Sequence, residues 1–239
     1  MAPQTATFAS EPTLFLRPRL LSLLLLPALC ATGLTWSGCA DEAAPDDPAD
    51  ASPAKPDRLP QFAVGSSQED DLHAVATTKD GDLIAVGYTN GAGAGDWDAL
   101  VLRASPCGAL RWAKTYGGVA KEMAVGVVGT ADGGVAAVGR TNSFGGYVDV
   151  YVLRLDGQGA LQWSYAYGGS GHDAGTAVVE TPDGGLLVLA ETYNFGPGTP
   201  AFHNMMVLNL GPAGELRWDR SYGGNLEGDA GFAIAHRLG

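Results

Sequence analysis

The chain has 239 residues, of which 46% are hydrophobic, only 17% are charged and 35 are glycine. That apolar share excludes a wholly disordered chain. Few charges, with glycine at about twice its usual share of roughly 7%, favour short strands and tight turns over long surface helices. The formal charge of −12 repels phosphates, and no Lys/Arg cluster reverses it locally, so nucleic acid is not expected as a partner.

The first predicted element is an address. Arg17 and Arg19 precede an apolar run from Leu20 to Leu34, and small residues follow at Ser37 and Gly38. A basic flank, an apolar segment and a small-residue cut site describe a signal peptide over residues 1–38. Pro27 and Gly33 break the run, which falls short of the ~20 residues that span a bilayer comfortably. Ser37-Gly38-Cys39 resembles the lipobox of bacterial lipoproteins, in which the cysteine is acylated and becomes the new N-terminus. Trp36 stands where that pattern has an aliphatic residue. The resemblance makes Cys39 the lipidation site and, with Ala40 after it, implies anchoring in an outer membrane. The other reading is cleavage without acylation, giving a soluble secreted or periplasmic protein. Residues 39–60 then change abruptly to Ala, Asp, Pro and Ser, as in Asp46-Asp47-Pro48-Ala49-Asp50. Such a segment cannot form a core and reads as a disordered acidic tether.

Residues 61–239 are repetitive. Trp112, Trp163 and Trp218 recur 51 and 55 residues apart, each leading into a Tyr-Gly-Gly: Tyr116-Gly117-Gly118, Tyr167-Gly168-Gly169 and Tyr222-Gly223-Gly224. Hairpin turns recur in step at Asp80-Gly81, Asp132-Gly133 and Asp183-Gly184, pairs that accept positive φ. A period of about 50 residues is the signature of propellers and related arrays. Each unit reads as four strands. The first runs from Ala74 to Thr78, Ala124 to Thr130 and Ala177 to Thr181, and the second from Leu83 to Thr89, Val135 to Thr141 and Leu186 to Thr192. A glycine-rich loop leads to the third, from Ala99 to Arg103, Val150 to Leu155 and Met205 to Leu210, and the fourth carries the Trp. The units span about 66–118, 119–169 and 170–224, and the partial unit 225–239 offers Asp229 to His236 as a further first strand.

These residues resemble bacterial β-propeller repeats of about fifty residues, in which an Asp-Gly-Gly hairpin, a Gly-x-Thr strand end and a Trp…Tyr-Gly-Gly strand recur. The third unit departs from them, with Ala190-Glu191-Thr192 in place of Gly-x-Thr. The resemblance implies an all-β fold of tandem four-stranded antiparallel blades on an exported protein, and no shared enzyme activity. Three full units plus one strand fall short of the 4–8 blades typical of a closed ring. Leu59 to Gly65 could add a strand. An incomplete or open propeller is expected, and three explanations stay open: a fragment or truncated reading frame, self-association through open blade edges, or an open curved solenoid.

Trp112, Trp163 and Trp218 are expected in the inter-blade core, each burying on the order of 200 Å². Asp156…Gly159…Trp163 is similar to the Trp-docking motif of quinoprotein propellers, one residue short between Asp and Gly. The loop Gly91 to Asp98 mixes Gly and Asp, but its equivalents supply only Asp149 or His203-Asn204. That falls short of the 6–8 oxygens calcium takes. His73, His172, His203 and His236 show no metal spacing, so neither metal nor cofactor is expected. Ser170, His172 and Asp173 are chain neighbours that point apart rather than a converging triad, and no catalytic residue is assigned. Cys107, beside Pro106 and Gly108, reads as an incidental thiol without an intramolecular partner. What remains is a non-enzymatic envelope module, membrane-anchored by its lipid, that binds protein or glycan through loops at one propeller end. The alternatives are an outer-membrane assembly scaffold, like the quinoprotein-type propeller lipoproteins, and an enzyme or cofactor-binding propeller.

Overall fold

The computed structural model describes residues 4–5, 64–144, 147–193, 195, 203–224 and 228–235. Cys39, the tether and all of the signal region except residues 4–5 lie outside the described residues. These two form a short strand, β1 (Gln4–Thr5).

The described chain is all-β. The first unit contains β2 (Asp70–Thr77), β3 (Leu83–Thr89), β4 (Asp98–Ala104) and β5 (Leu110–Tyr116). The second contains β6 (Glu122–Gly129), β7 (Val135–Thr141), β8 (Asp149–Leu155) and β9 (Leu161–Tyr167). The third contains β10 (Asp173–Glu180), β11 (Leu186–Thr192), β12 (Asn204–Leu210) and β13 (Leu216–Tyr222). Each unit is one antiparallel sheet whose strands neighbour in chain order, and β1 adds to the outer edge of β9. The three sheets stand in tandem without closing a barrel, an open propeller-like arrangement. Consecutive blades lie face to face, with β6 against β2, β3 and β4, and β10 against β6, β7 and β8.

Local chemistry explains the meanders. Gly81, Gly133 and Gly184 turn the first hairpins at φ of 84°, 84° and 80°, where a side chain would be strained. The third strands read as near-continuous apolar runs, and β4 and β8 are buried along their whole length. The first and third strands start earlier than hydropathy predicts. The residues that open them, such as Glu122, Asp173, Asp98 and Asp149, look like loop residues yet are buried. Each first strand carries a bulge at the same place, between Leu72 and Ala74, Ala124 and Gly126, and Gly175 and Ala177. A bulge kinks its strand and strengthens the local twist.

The core lies in the two seams between blades. The first gathers Ile84, Val86 and Val101 against Ala137, Tyr151 and Leu153; the second gathers Val138, Val150 and Val152 against Val188, Met206 and Leu208. Directional bonds accompany this apolar contact. Trp112 Nε1–H donates to the Gly157 carbonyl at 3.1 Å, and the Tyr116 hydroxyl donates to the Gly159 carbonyl at 2.7 Å. One blade later, Trp163 Nε1–H donates to the Pro212 carbonyl at 2.9 Å and the Tyr167 hydroxyl donates to the Gly214 carbonyl. Gly159 must be glycine twice over. Its φ is 72°, and a Cβ there would meet the Trp112 ring at 3.1 Å.

Two expectations need correction at the third blade. Trp218 is 39% exposed and Tyr222 50% exposed, because no further blade stands against them among the described residues. The segment 228–235 forms no strand. It lies along the third blade, where Asp229 N–H donates to the His203 carbonyl and the Thr176 hydroxyl donates to the Gly231 carbonyl, both at 2.8 Å, with no sheet neighbour among the described residues. Replacing Trp163 by Ala is therefore expected to cost roughly 3 kcal/mol in urea unfolding, the low end for truncating a core aromatic. Trp218→Ala should cost about 1 kcal/mol or less. Equal losses would remove the assignment of the seam to Trp163.

Candidate functional site at the loop end of the blades

The two ends of the seams are built differently. At the hairpin end, Arg103 Nε lies 2.7 Å from Asp82 and its Nη1 donates to the Gly133 and Gly157 carbonyls of the second blade. Arg111 reaches the same Asp82 at 2.7 Å. Arg154 meets Asp132 at 2.9 Å and Glu180 of the third blade at 3.3 Å. Burial opposes ionisation of Asp132, but Thr130, Arg154 and the Gly134 N–H outweigh it and hold its carboxyl down to about 2. Bonds from Thr181 and Arg217 bring Asp183 to about 2 as well. An open cleft of about 390 Å³ sits here, lined by Asp80, Asp82, Arg103, Arg111 and Trp112. Its two arginines are already paired with two acids, Arg103 with Asp80 and Asp82 and Arg111 with Asp82.

At the loop end, acids face acids. Glu122 is fully buried; its Oε2 accepts from the Gly118 N–H and its Oε1 accepts from the Thr141 hydroxyl at 2.6 Å. Asp173 Oδ2 likewise accepts from the Gly169 N–H at 2.9 Å. Each meets the acid that opens the preceding blade's third strand. Burial, with Glu122 nearby, pushes Asp98 up to about 6 although the Gly95 and Ala94 N–H groups oppose this. Burial and then Asp173 do the same for Asp149, also to about 6. In the third unit the corresponding residue is Asn204, whose Nδ2–H donates to the Phe195 carbonyl at 3.2 Å. A carboxyl near 6 suits acid–base work. Here, however, Asp98 and Asp149 are closed off from solvent, and their role is structural.

Just outside these buried acids is a cavity of about 80 Å³, lined by Trp97, Lys121, Glu122, Met123, Arg140, Asn142, Val148 and His172. Sheet ends fix its walls. Trp97 and Lys121 form a parallel bridge, and the Glu122 N–H donates to the Trp97 carbonyl at 2.8 Å. Trp97 stacks on Tyr88 with centroids 4.6 Å apart, and the Lys121 ammonium lies 4.2 Å above the Trp97 ring. The Tyr88 hydroxyl is held by Glu69 at 2.8 Å, a bond that pushes it up to about 12.

Of the side chains singled out in the sequence, His172 lines this cavity and most of the others are placed elsewhere. Asp80, Asp132 and Asp183 stand at the hairpin end with their glycines. Trp112 and Trp163 are half-buried in the seams. Ser170, His172 and Asp173 do not converge: Ser170 is exposed, His172 meets Tyr193 edge-on at 5.9 Å, and Asp173 turns to the Gly169 N–H. No group of three His, Cys, Asp or Glu that could hold a metal occurs among the described residues. Cys107 is disulfide-bonded, with its partner outside the described residues, which corrects its reading as an incidental thiol. Lys121, Arg140 and Trp97 escaped sequence reasoning because they do not recur between units. The buried acids did leave a signal, four residues after each glycine pair at Glu122 and Asp173.

No protein-family model matches this chain, and no curated protein matches it.

The carboxyl pairs give a signed pH dependence. A carboxyl raised in the folded state stabilises fully below its ordinary value of 3.8, and that stability is lost as pH rises through about 6, as for Asp98 and Asp149. Asp132 and Asp183 act oppositely, losing their contribution as pH falls from 3.8 through about 2. Thermal melts should thus peak near pH 4. Asp98→Asn combined with Asp149→Asn should flatten only the arm between about pH 4 and 6. A double variant whose melting curve still fell across that arm would discard this account.

Proposed function

We propose that this chain is a non-catalytic binding module of the bacterial cell envelope, anchored through lipid on Cys39 and recognising its partner with the loop end of its blades. One observation carries the reading. Seam positions keep their chemistry from unit to unit, whereas equivalent positions around the loop-end cavity do not. Tyr88, Arg140 and Glu191 correspond, as do Trp97, Val148 and His203, and Lys121, His172 and Gly228. A scaffold needs repetition; a recognition face needs differences.

Two experiments test the two halves. Cells fed a palmitate analogue should label the wild-type chain and not Cys39→Ala; label on the variant removes the anchor. A photo-crosslinking residue at exposed Asn142 should give adducts in intact cells, while one at exposed Gln158, in the opposite-end turn, should not. Equal adducts at both positions would reject the loop end as the recognition face.

Self-association is a second reading, favoured by one observation. Leu72 and Val75 are 50% and 69% exposed, although their equivalents Ala124, Val127 and Val178 sit in the seams. On this reading the open side of the first blade takes an apolar partner surface, such as that around Trp218 and Tyr222 of another copy. Sedimentation should then show concentration-dependent association that Val75→Arg abolishes. A single species at all concentrations would reject it.

A further inference from the structure

We propose that the loop-end cavity binds a compact oxyanion, a carboxylate or phosphate group, between Lys121 and Arg140; this rests on the loop end being the recognition face. The charge balance of the cavity runs against that of the chain. The whole molecule carries −12, yet this cavity is lined by two basic side chains, Lys121 and Arg140, and a single acid, Glu122. Glu122 is fully buried and both its oxygens are engaged by Thr141 and Gly118, so Lys121 and Arg140 are the charged lining groups left to meet a ligand.

Arg140 is set apart from the buried arginines. Arg103 and Arg154 each meet a carboxylate within 3 Å, whereas Arg140, half-buried, makes no ion pair among the described residues. A guanidinium presents a planar fork that matches a carboxylate or phosphate edge. Lys121 is pre-positioned by Trp97, itself fixed by stacking on Tyr88, so less side-chain freedom is lost on binding. His172 also lines the cavity, and its Nδ1 is buried with no hydrogen-bond partner among the described residues. A buried polar atom without a partner is a site that a ligand can satisfy. Asn142 adds a neutral amide at the rim.

Size and chemistry narrow the class. At about 80 Å³, with roughly 10–15 Å³ per water-sized occupant, the cavity holds a handful of non-hydrogen atoms. That suits a single oxyanion group of a larger ligand. A cation would meet Lys121 and Arg140, and a neutral sugar ring would find Trp97 already occupied by Tyr88 and Lys121.

The test is a tryptophan-fluorescence titration of the full chain with inorganic phosphate and, separately, D-glucuronate, against chloride at matched ionic strength. A saturable response to at least one probe is expected; which probe responds distinguishes phosphate from carboxylate. Arg140→Gln and Lys121→Gln should each weaken it about tenfold, or ~1.4 kcal/mol. Arg140→Lys should restore part of the affinity, and Arg220→Gln, an exposed cation on the third blade, should leave it unchanged. Thermal melts establish that each variant is folded. Silence toward both probes, or equal weakening by Arg220→Gln, would overturn the proposal. If both probes are silent while crosslinks at Asn142 persist, the recognition face stands and the oxyanion site falls; if the crosslinks vanish too, both fall.

Discussion

The structure depends on a directional dock between consecutive blades. A Trp and a Tyr at the outer strand of one blade each donate a hydrogen bond to a carbonyl in the last turn of the next. Trp112 and Tyr116 reach Gly157 and Gly159; Trp163 and Tyr167 reach Pro212 and Gly214. A four-stranded sheet of this length cannot bury its faces alone, so neighbours must supply the cover. Apolar contact gives that cover its strength but not its register. The indole N–H and phenol O–H supply register, since each ring must sit where its polar atom finds a partner. The receiving turn is therefore restricted to glycine at 159 and 214, both at positive φ.

A second set of contacts closes the same seams at the other end, and its chemistry has a consequence for the site. Glu122 and Asp173 tie the glycine pairs to the first strand of each following blade through backbone N–H bonds. Those bonds fix where the strand begins, whatever side chain comes before it. Position 121 is Lys and position 172 is His, yet both stand in the same backbone geometry: the Glu122 N–H bonds the Trp97 carbonyl, and the Asp173 N–H bonds the Val148 carbonyl. The buried acids hold the frame, and the residues beside them are free to vary.

This division explains what was legible in the sequence. The hairpins, the Trp strands and the second-strand boundaries could be read because turn chemistry and repetition mark them. The starts of the first and third strands could not be read from hydropathy. Asp98, Asp149, Glu122 and Asp173 are charged residues that tertiary contacts bury, and hydropathy places such residues in loops. Trp218 matched its repeat partners in sequence but not in burial, because burial belongs to the seam and not to the residue. The cavity was invisible for a further reason. Its lining comes from both sides of two seams, and no window of sequence places Trp97 beside Lys121 or Arg140 near His172.

The middle blade is the one covered on both faces, and this bears on where recognition can be built. The strand β2 is exposed along most of one side of the first blade, and β13 is largely exposed at the other end of the array. Segments with few buried contacts open locally at low free-energy cost. The blade between them, with β7 and β8 almost wholly buried, has no such freedom. Lys121, Arg140 and Asn142 all project from this middle blade, at strand ends pinned by Glu122 and Thr141. A site assembled there keeps its geometry even where the flanking blades breathe. It can keep exposed Lys121 and half-buried Arg140 at one opening because the frame, rather than the ligand, fixes the strand ends that carry them.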